Sequence, residues 1–384
     1  MSLDTITKMR ELKLKSEDPK PNCTPYEDSD ICRKDEIDTL FQKCESLLEP
    51  PIAIDNEYIL HIAGTLETNP NVAISLSNNT CEVYNLSNNQ VDKLAVLAEH
   101  TDVITEIKFS TENSNLLYSG SCDGTVRLWD IRAPKRSSVQ FKDTTVMDVK
   151  NKSFNCFDIS PNNKLLAAGT NLFEGDSFIL FWDVRKNSLL GGYWVSHTDD
   201  ITQLKFHPDD SNKLISGSVD GLINLYDLSQ RCEEDALLDS LNTVSSIEKL
   251  SWLRQGRTDI ISCVTHTADV QFWKIEDSQP YYHFHRHEIA KEIQRKSEGH
   301  IYVVDVHGGF NKMLVLAGSN SGDGECIRGL SVVGNTVTPA LGFPSNKQRV
   351  RCSWSNLNLN LLLTGGEKGI LNLWDVTTVK CERK

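Results

Sequence analysis

The sequence predicts an all-β fold assembled from repeated units, on two observations. Residues 99–131 (EHTDVITEIKFSTENSNLLYSGSCDGTVRLWDI) and 196–228 (SHTDDITQLKFHPDDSNKLISGSVDGLINLYDL) align without gaps and share 17 identities over 33 positions. Inside each unit, short β-branched and aromatic runs alternate with turn residues. A length of 384 residues suggests two or three domains, but one closed repeat fold can absorb all of it.

Each element of the unit has a physical reading. Ile104–Phe109 nearly alternates apolar and polar residues, as a half-buried strand does. Leu116-Leu117-Tyr118 gives a second strand. Asp123-Gly124 is a tight hairpin turn in which Gly accepts a positive φ. Thr125–Trp129 is a third strand, rich in residues that suit a pleated surface. Such a meander cannot bury both faces alone, so neighbouring units must stack on it.

The chain resembles the WD-repeat β-propellers. That family places a His before the unit, then a Ser or Thr, an Asp-Gly turn and a terminal Trp-Asp. The second unit supplies His100, Ser119, Asp123 and Trp129, followed by Asp130. The fourth supplies His197, Ser216, Asp220 and Tyr226, followed by Asp227. The resemblance implies that each set forms a hydrogen-bonded tetrad. A neutral imidazole can donate to Asp and accept from Ser, while an indole or phenol donates to Ser. A Ser-His-Asp grouping also suggests a hydrolase triad, but its recurrence at identical spacing favours a structural staple.

The ends of the third strands count the blades. They fall at Tyr84, Trp129, Trp182, Tyr226, Trp273 and Trp374, with gaps of 45, 53, 44, 47 and 101 residues. The family period is about 40–45 residues. The last gap therefore holds two units, with Lys312–Gly318 and Cys326–Val333 as the unmarked sixth. The expected fold is a seven-bladed WD40-type β-propeller with a disordered acidic tail. Departures are frequent. Unit one has Asn78-Asn79 in place of Asp-Gly, unit three inserts Asn171–Asp176, unit six loses every hallmark, and unit seven has Lys368 where Asp is expected. Blades other than two and four are expected to rely on apolar packing.

The propeller is expected to span residues 39–377, with a short tail at 378–384. Ring closure needs a strand from the opposite terminus. Thr39–Leu47 is assigned as the outer strand of blade seven and Glu57–Ile62 as the inner strand of blade one; closure removes exposed sheet edges. Residues 1–38 read as a disordered tail. From Glu17 to Asp38 there are eight acidic and three basic residues, with Pro19, Pro21 and Pro25.

Composition bounds the function. The net charge is −13, and residues 1–56 carry 13 acidic and 8 basic groups, so −5 of it. Nucleic acid is not the expected partner, because its affinity rests on Lys and Arg neutralising phosphates. No apolar run approaches the roughly 18 residues of a spanning helix, and no membrane contact is expected. The 11 cysteines show no Cys-x-x-Cys spacing. With no secretory signal at the N-terminus, a cytoplasmic or nuclear setting and free thiols are expected.

Three features are candidates for function. Trp129-Asp130-Ile131-Arg132 and Trp182-Asp183-Val184-Arg185 resemble the signature of substrate receptors that dock on the adaptor of cullin-4 ubiquitin ligases. That resemblance implies Arg132 and Arg185 as partner contacts on one face. The alternative is a local Asp-x-Arg salt bridge at each strand end, energetically minor. His283, His285 and His287 alternate along one stretch and so share a strand face. Three histidines can hold a metal, and Glu288 follows them, but no second carboxylate or cysteine site frames them, so no metal is expected. Lys347, Arg349 and Arg351, with Arg254 and Arg257, offer a basic patch, read as ordinary surface charge. Gly318–Gly324 lacks the Lys and helix of a phosphate loop. No cofactor is expected. No charged residues are expected to converge on a central channel, so the expectation is a monomeric, non-catalytic scaffold for other proteins, with the ligase receptor as the alternative.

Overall fold

The computed structural model describes residues 28–48, 57–87, 90–145, 152–256, 258–309, 312–356 and 359–376. They form seven sheets, one per blade. Blade one runs through Ile59–Gly64, Asn71–Leu76, Cys81–Ser87 and Gln90–Leu97. Blade two uses Ile104–Phe109, Leu116–Ser121, Thr125–Asp130 and Val139–Lys142. Blades three, four and five occupy 154–193, 201–242 and 247–284 as four-stranded antiparallel meanders. Blade six, 301–342, and blade seven, 350–375, have their outer edges completed by the N-terminal segment. No described helix is long and apolar enough to cross a membrane.

Alternation in the strands translates directly into packing. In Ile104–Phe109 the residues Ile104, Ile107 and Phe109 are buried, while Thr105, Glu106 and Lys108 are only partly covered. The apolar clusters lie between blades. Tyr118 and Val126 of blade two pack with Phe154, Phe157 and Leu166 of blade three. Blades seven and one close the ring through Cys352, Leu363 and Leu371 against Ile59, Val72 and Tyr84. The blades approach so closely that a second-strand glycine is required. A Cβ on Gly120 would lie 2.6 Å from the Phe157 ring, and one on Gly365 would lie 2.6 Å from Ile59 across the closing seam.

The N-terminal segment corrects two expectations. The assigned outer strand 39–47 is divided among three roles. Lys34–Leu40 is a helix, with Asp35 and Glu36 in its first turn, where acidic side chains favour the helix N-terminus. Gln42–Lys43 adds a parallel fifth strand to blade six, opposite Leu341 and Gly342. Only Ser46–Leu48 pairs antiparallel with blade seven, Ser46 opposite Trp374. Residues 28–38 were assigned to the tail, yet they are docked on blade six. Ile31 N–H donates to Gln294 O at 3.0 Å, and Lys296 N–H donates to Ser29 O at 3.1 Å. Phe41 is buried beneath the Arg328 guanidinium, 5.1 Å from its ring centre. The remainder of the expected tail, residues 1–27, and the expected C-terminal tail 378–384 lie outside the described residues.

Candidate functional site

Both tetrads form. In blade two, His100 Nδ1 lies 2.8 Å from Asp123 Oδ2 and Nε2 lies 2.7 Å from Ser119 Oγ, while Trp129 Nε1–H donates to Ser119 Oγ at 2.8 Å. In blade four, His197 lies 2.9 Å from Asp220 and 2.6 Å from Ser216. The shorter Tyr226 reaches Ser216 only at 3.5 Å. Asn224 fills the difference: its Nδ2 donates to Ser196 O at 2.8 Å and to Tyr226 Oη at 3.4 Å. Burial opposes ionisation of Asp123 and Asp220, but the bonds from His100 and Thr125, and from His197, outweigh it and hold both carboxyls below the usual range. Ser119 and Ser216 are fully buried. No substrate can reach them as nucleophiles, so the hydrolase reading fails on access.

The other blades do not depend on apolar packing alone. In blade seven Trp374 donates to Thr364 Oγ1 at 2.8 Å, and the buried Gln348 binds the turn by accepting from Lys368 N–H and donating to Ile370 O. In blade five Trp273 donates to Gln271, and in blade three Trp182 donates to Lys142 O, each at 3.1 Å. Blade one replaces Asp-Gly with an Asn turn: Asn78 accepts from Thr80 N–H, and Asn79 holds φ 67°. Blade six is anchored by Asp28. Its carboxylate accepts from Arg295 Nε at 2.7 Å, Ser319 Oγ at 2.7 Å and Ser297 N–H at 2.9 Å. Burial opposes ionisation of Asp28, and those bonds overcome it, so its pKa is lowered.

Charged residues do converge on the centre, contrary to expectation. The inner strands place His61, Glu106, Lys205, Lys249, Asp305 and His307 around a cavity of about 280 Å³. Lys205 pairs with Glu106 and Lys108 with Asp158, lacing blades two, three and four. Burial, with Lys249 and Lys205 nearby, pushes the His61 pKa down to about 3. Burial likewise lowers the His307 pKa. Three acidic groups (Glu106, Asp158, Asp305) face three lysines, so the channel carries no excess of either sign.

Arg132 and Arg185 occupy equivalent positions just past the third strands of adjacent blades. Each is held side-on by its own strand-ending aspartate. Arg132 Nε and Nη2 donate to Asp130 at 2.9 and 2.6 Å, and Arg185 Nε and Nη2 donate to Asp183 at 3.3 and 3.1 Å. Their side chains remain 64% and 62% exposed. The local salt bridge and a largely exposed guanidinium are therefore the same arrangement.

The basic patch is largely neutralised. Arg349 and Arg351 both pair with Glu367, at 3.3 and 2.7 Å. Arg254 pairs with Asp209 at 2.6 Å and Asp259 at 3.2 Å. Arg257 lies outside the described residues.

Two arrangements were missed from sequence. Trp194 and Val195 are exposed large apolar residues, and their backbone is pinned. The N–H groups of Trp194, Val195 and Ser196 all donate to the buried Glu233 carboxylate at 2.8–2.9 Å. A Trp-Val pair in a connecting loop carries no periodic signal, and Glu233 lies in another blade. The second concerns the histidines. Tyr282–Phe284 is the outer strand of blade five, and Asp269 from the turn before the third strand joins His283 and His285 in one cluster. His287 stands apart, stacked on His285 at 5.7 Å.

The architecture and its tetrads define a seven-bladed β-propeller of stapled meanders. The model of the WD domain, G-beta repeat, matches residues 91–130 and 191–227. A WD repeat-containing protein 89 homolog of Dictyostelium discoideum is 30% identical over 271 residues, 70% of this chain and 69% of that protein. The WD repeat-containing protein GTS1 of Arabidopsis thaliana is 31% identical over 275 residues, 70% of this chain and 66% of that protein. A guanine nucleotide-binding protein subunit beta of Saccharomyces cerevisiae is 29% identical over 50% of this chain and 44% of that protein. The chain belongs to the WD-repeat family.

Proposed function

We propose that this chain is a non-catalytic scaffold for protein–protein interaction, and that it docks through Arg132 and Arg185 onto a partner in the manner of a cullin-4 ligase substrate receptor. The observation carrying this reading is the pair itself. Two exposed guanidiniums stand at equivalent sites on neighbouring blades, each oriented by Asp130 or Asp183. Such pre-orientation lowers the entropy lost when a partner carboxylate binds the remaining edge. The pinned Trp194-Val195 corner supplies an aromatic anchor of the kind that dominates interface energetics. The balanced charge of the channel and the burial of Ser119 and Ser216 favour a scaffold over an enzyme.

Affinity capture with the full chain from native cells tests it. The account expects the cullin-4 adaptor to co-purify with the wild type and to be lost with the Arg132→Ala/Arg185→Ala double variant. Absence of the adaptor from wild type, or equal recovery with the variant, refutes the ligase reading. A Trp194→Ala variant that captures an unchanged set of proteins removes Trp194 as an anchor.

A further inference from the structure

Blade five presents a cluster that the scaffold does not use. Three elements converge at its outer edge. Asp269 lies in the turn leading into the third strand, Val270–Trp273. His283 lies in the fourth strand, opposite Gln271. His285 is the N-cap of the helix Arg286–Glu292. His283 Nε2 is 3.7 Å from Asp269 Oδ2, and His285 Nδ1 is 3.8 Å from Asp269 Oδ1. One donor atom from each of the three residues lies within 4.8 Å of the others.

The surroundings fix the donors rather than consume them. Asp269 Oδ1 accepts from Arg286 N–H at 2.8 Å, and Oδ2 accepts from Thr267 Oγ1 at 3.3 Å. Thr267 is held in turn by Thr265 at 2.8 Å. The His285 backbone N–H donates to Glu288 at 2.8 Å. The Arg286 guanidinium is engaged elsewhere, donating to Gly299 O and Ile301 O at 2.8 Å each. Outer contacts of this kind orient metal ligands. Among the three donor side chains, His283 Nε2 is shielded from solvent and has no hydrogen-bond partner among the described residues; Arg286 Nε, beside the cluster, is likewise unpaired. A buried polar atom left unpaired is costly. An electrophile in reach of Asp269 and His285 would satisfy His283 Nε2.

We propose that Asp269, His283 and His285 form a three-ligand Zn²⁺ site at the outer edge of blade five, with water completing the coordination shell. Two imidazoles and a carboxylate suit zinc and leave a position open. Ligands bound at zinc distances in tetrahedral geometry lie roughly 3.4 Å apart, so the cluster needs only a small inward rotation, which the half-exposed His285 can make. The ion links the turn, the outer strand and the helix. In blade five Cys263, opposite Gln271, occupies the tetrad serine position, so the clasp would hold a blade that lacks that serine.

The test uses the purified full chain, stripped with chelator and titrated with ZnCl₂ by calorimetry. One Zn²⁺ per chain is expected, together with a rise in melting temperature. Asp269→Asn, His283→Gln and His285→Ala should each weaken binding by at least about tenfold, and His287→Ala should leave it unchanged. Circular dichroism confirms that each variant is folded. His285 is half exposed, so His285→Ala keeps the test decisive if the turn tolerates no change at Asp269. Substitution with Co²⁺ should give a visible spectrum without a sulfur-to-cobalt band. No saturable binding by wild type, undiminished affinity in all three ligand variants, or a sulfur-to-cobalt band overturns the site.

Discussion

Blades two and six show two ways of holding a propeller blade. In blade two the polar anchor is local: His100, Ser119, Asp123 and Trp129 all come from one repeat. In blade six Ala317 takes the serine position and Leu330 the tryptophan position, and the anchor arrives from outside. Asp28 reaches Arg295 across 267 positions and Ser319 across 291. A local staple can form while its meander folds. A staple between the ends of the chain can form only as the ring closes, after the entropy of closing a long loop has been met. The N-terminal segment therefore does more than complete a sheet edge. It supplies to blade six what the repeat itself has lost.

The contrast can be broken most sharply at Asp28. Its side chain is fully buried, and the Arg295 side chain is 9% exposed. Asp28→Ala removes the closer of the two carboxylates on that guanidinium and leaves it with Asp30 alone, at 3.2 Å. Breaking a buried pair costs about 3–5 kcal/mol, and urea unfolding should show a loss of this size. A loss below about 1 kcal/mol would make the strap incidental.

The local staple should cost less. His100→Ala leaves Ser119 Oγ and Asp123 with fewer partners inside one blade, for about 1–3 kcal/mol. Because the two anchors share no partner, the Asp28→Ala/His100→Ala pair should be additive within about 0.5 kcal/mol. Marked coupling in a double-mutant cycle would show that the blades do not hold independently.

Acid should act on both anchors in the same direction. Asp28, Asp123 and Asp220 have folded pKa values below the ordinary value. The unfolded chain therefore takes up protons first as the pH falls. Their contribution is present above the unfolded value of about 3.9 and is lost as the pH drops through the lower folded values. Urea midpoints measured across that range should fall, and Asp28→Asn should flatten part of the slope. A midpoint that rises on acidification contradicts the assignment.

The smallest expected effect is at the proposed docking face. The Arg132 and Arg185 guanidiniums that pair with Asp130 and Asp183 are largely exposed, where ion pairs add little. The double alanine variant should melt at the wild-type temperature while losing its partner. A large fall in melting temperature would move these residues from recognition to stability.

Much of the fold was legible because the repeat advertises it. The aligned units placed His100, Ser119, Asp123 and Trp129 with their blade-four equivalents, and the spacing of third-strand aromatics counted seven blades. What escaped was long-range. Asp28 sits in an acidic, proline-bearing stretch that reads as a tail, and only the folded ring shows its partners. Asp269 is separated from His283 by a strand and a loop, so the histidines looked unframed. Glu106, Lys205 and Lys249 alternate with apolar residues, a pattern equally suited to solvent and to a narrow polar channel. Gln348 escaped because it replaces the staple with different chemistry, a side-chain amide bound to turn backbone.

Hydrogen–deuterium exchange on Asp28→Ala tests the central claim most directly, because it reads each blade separately. If the N-terminal strap is the staple of blade six, exchange should accelerate in Lys312–Ser319, Ile327–Val333 and the helix Arg286–Glu292, while Leu116–Ser121 and Lys213–Ser218 keep wild-type protection. Unchanged protection in blade six, or equal acceleration in blades two and four, would contradict it.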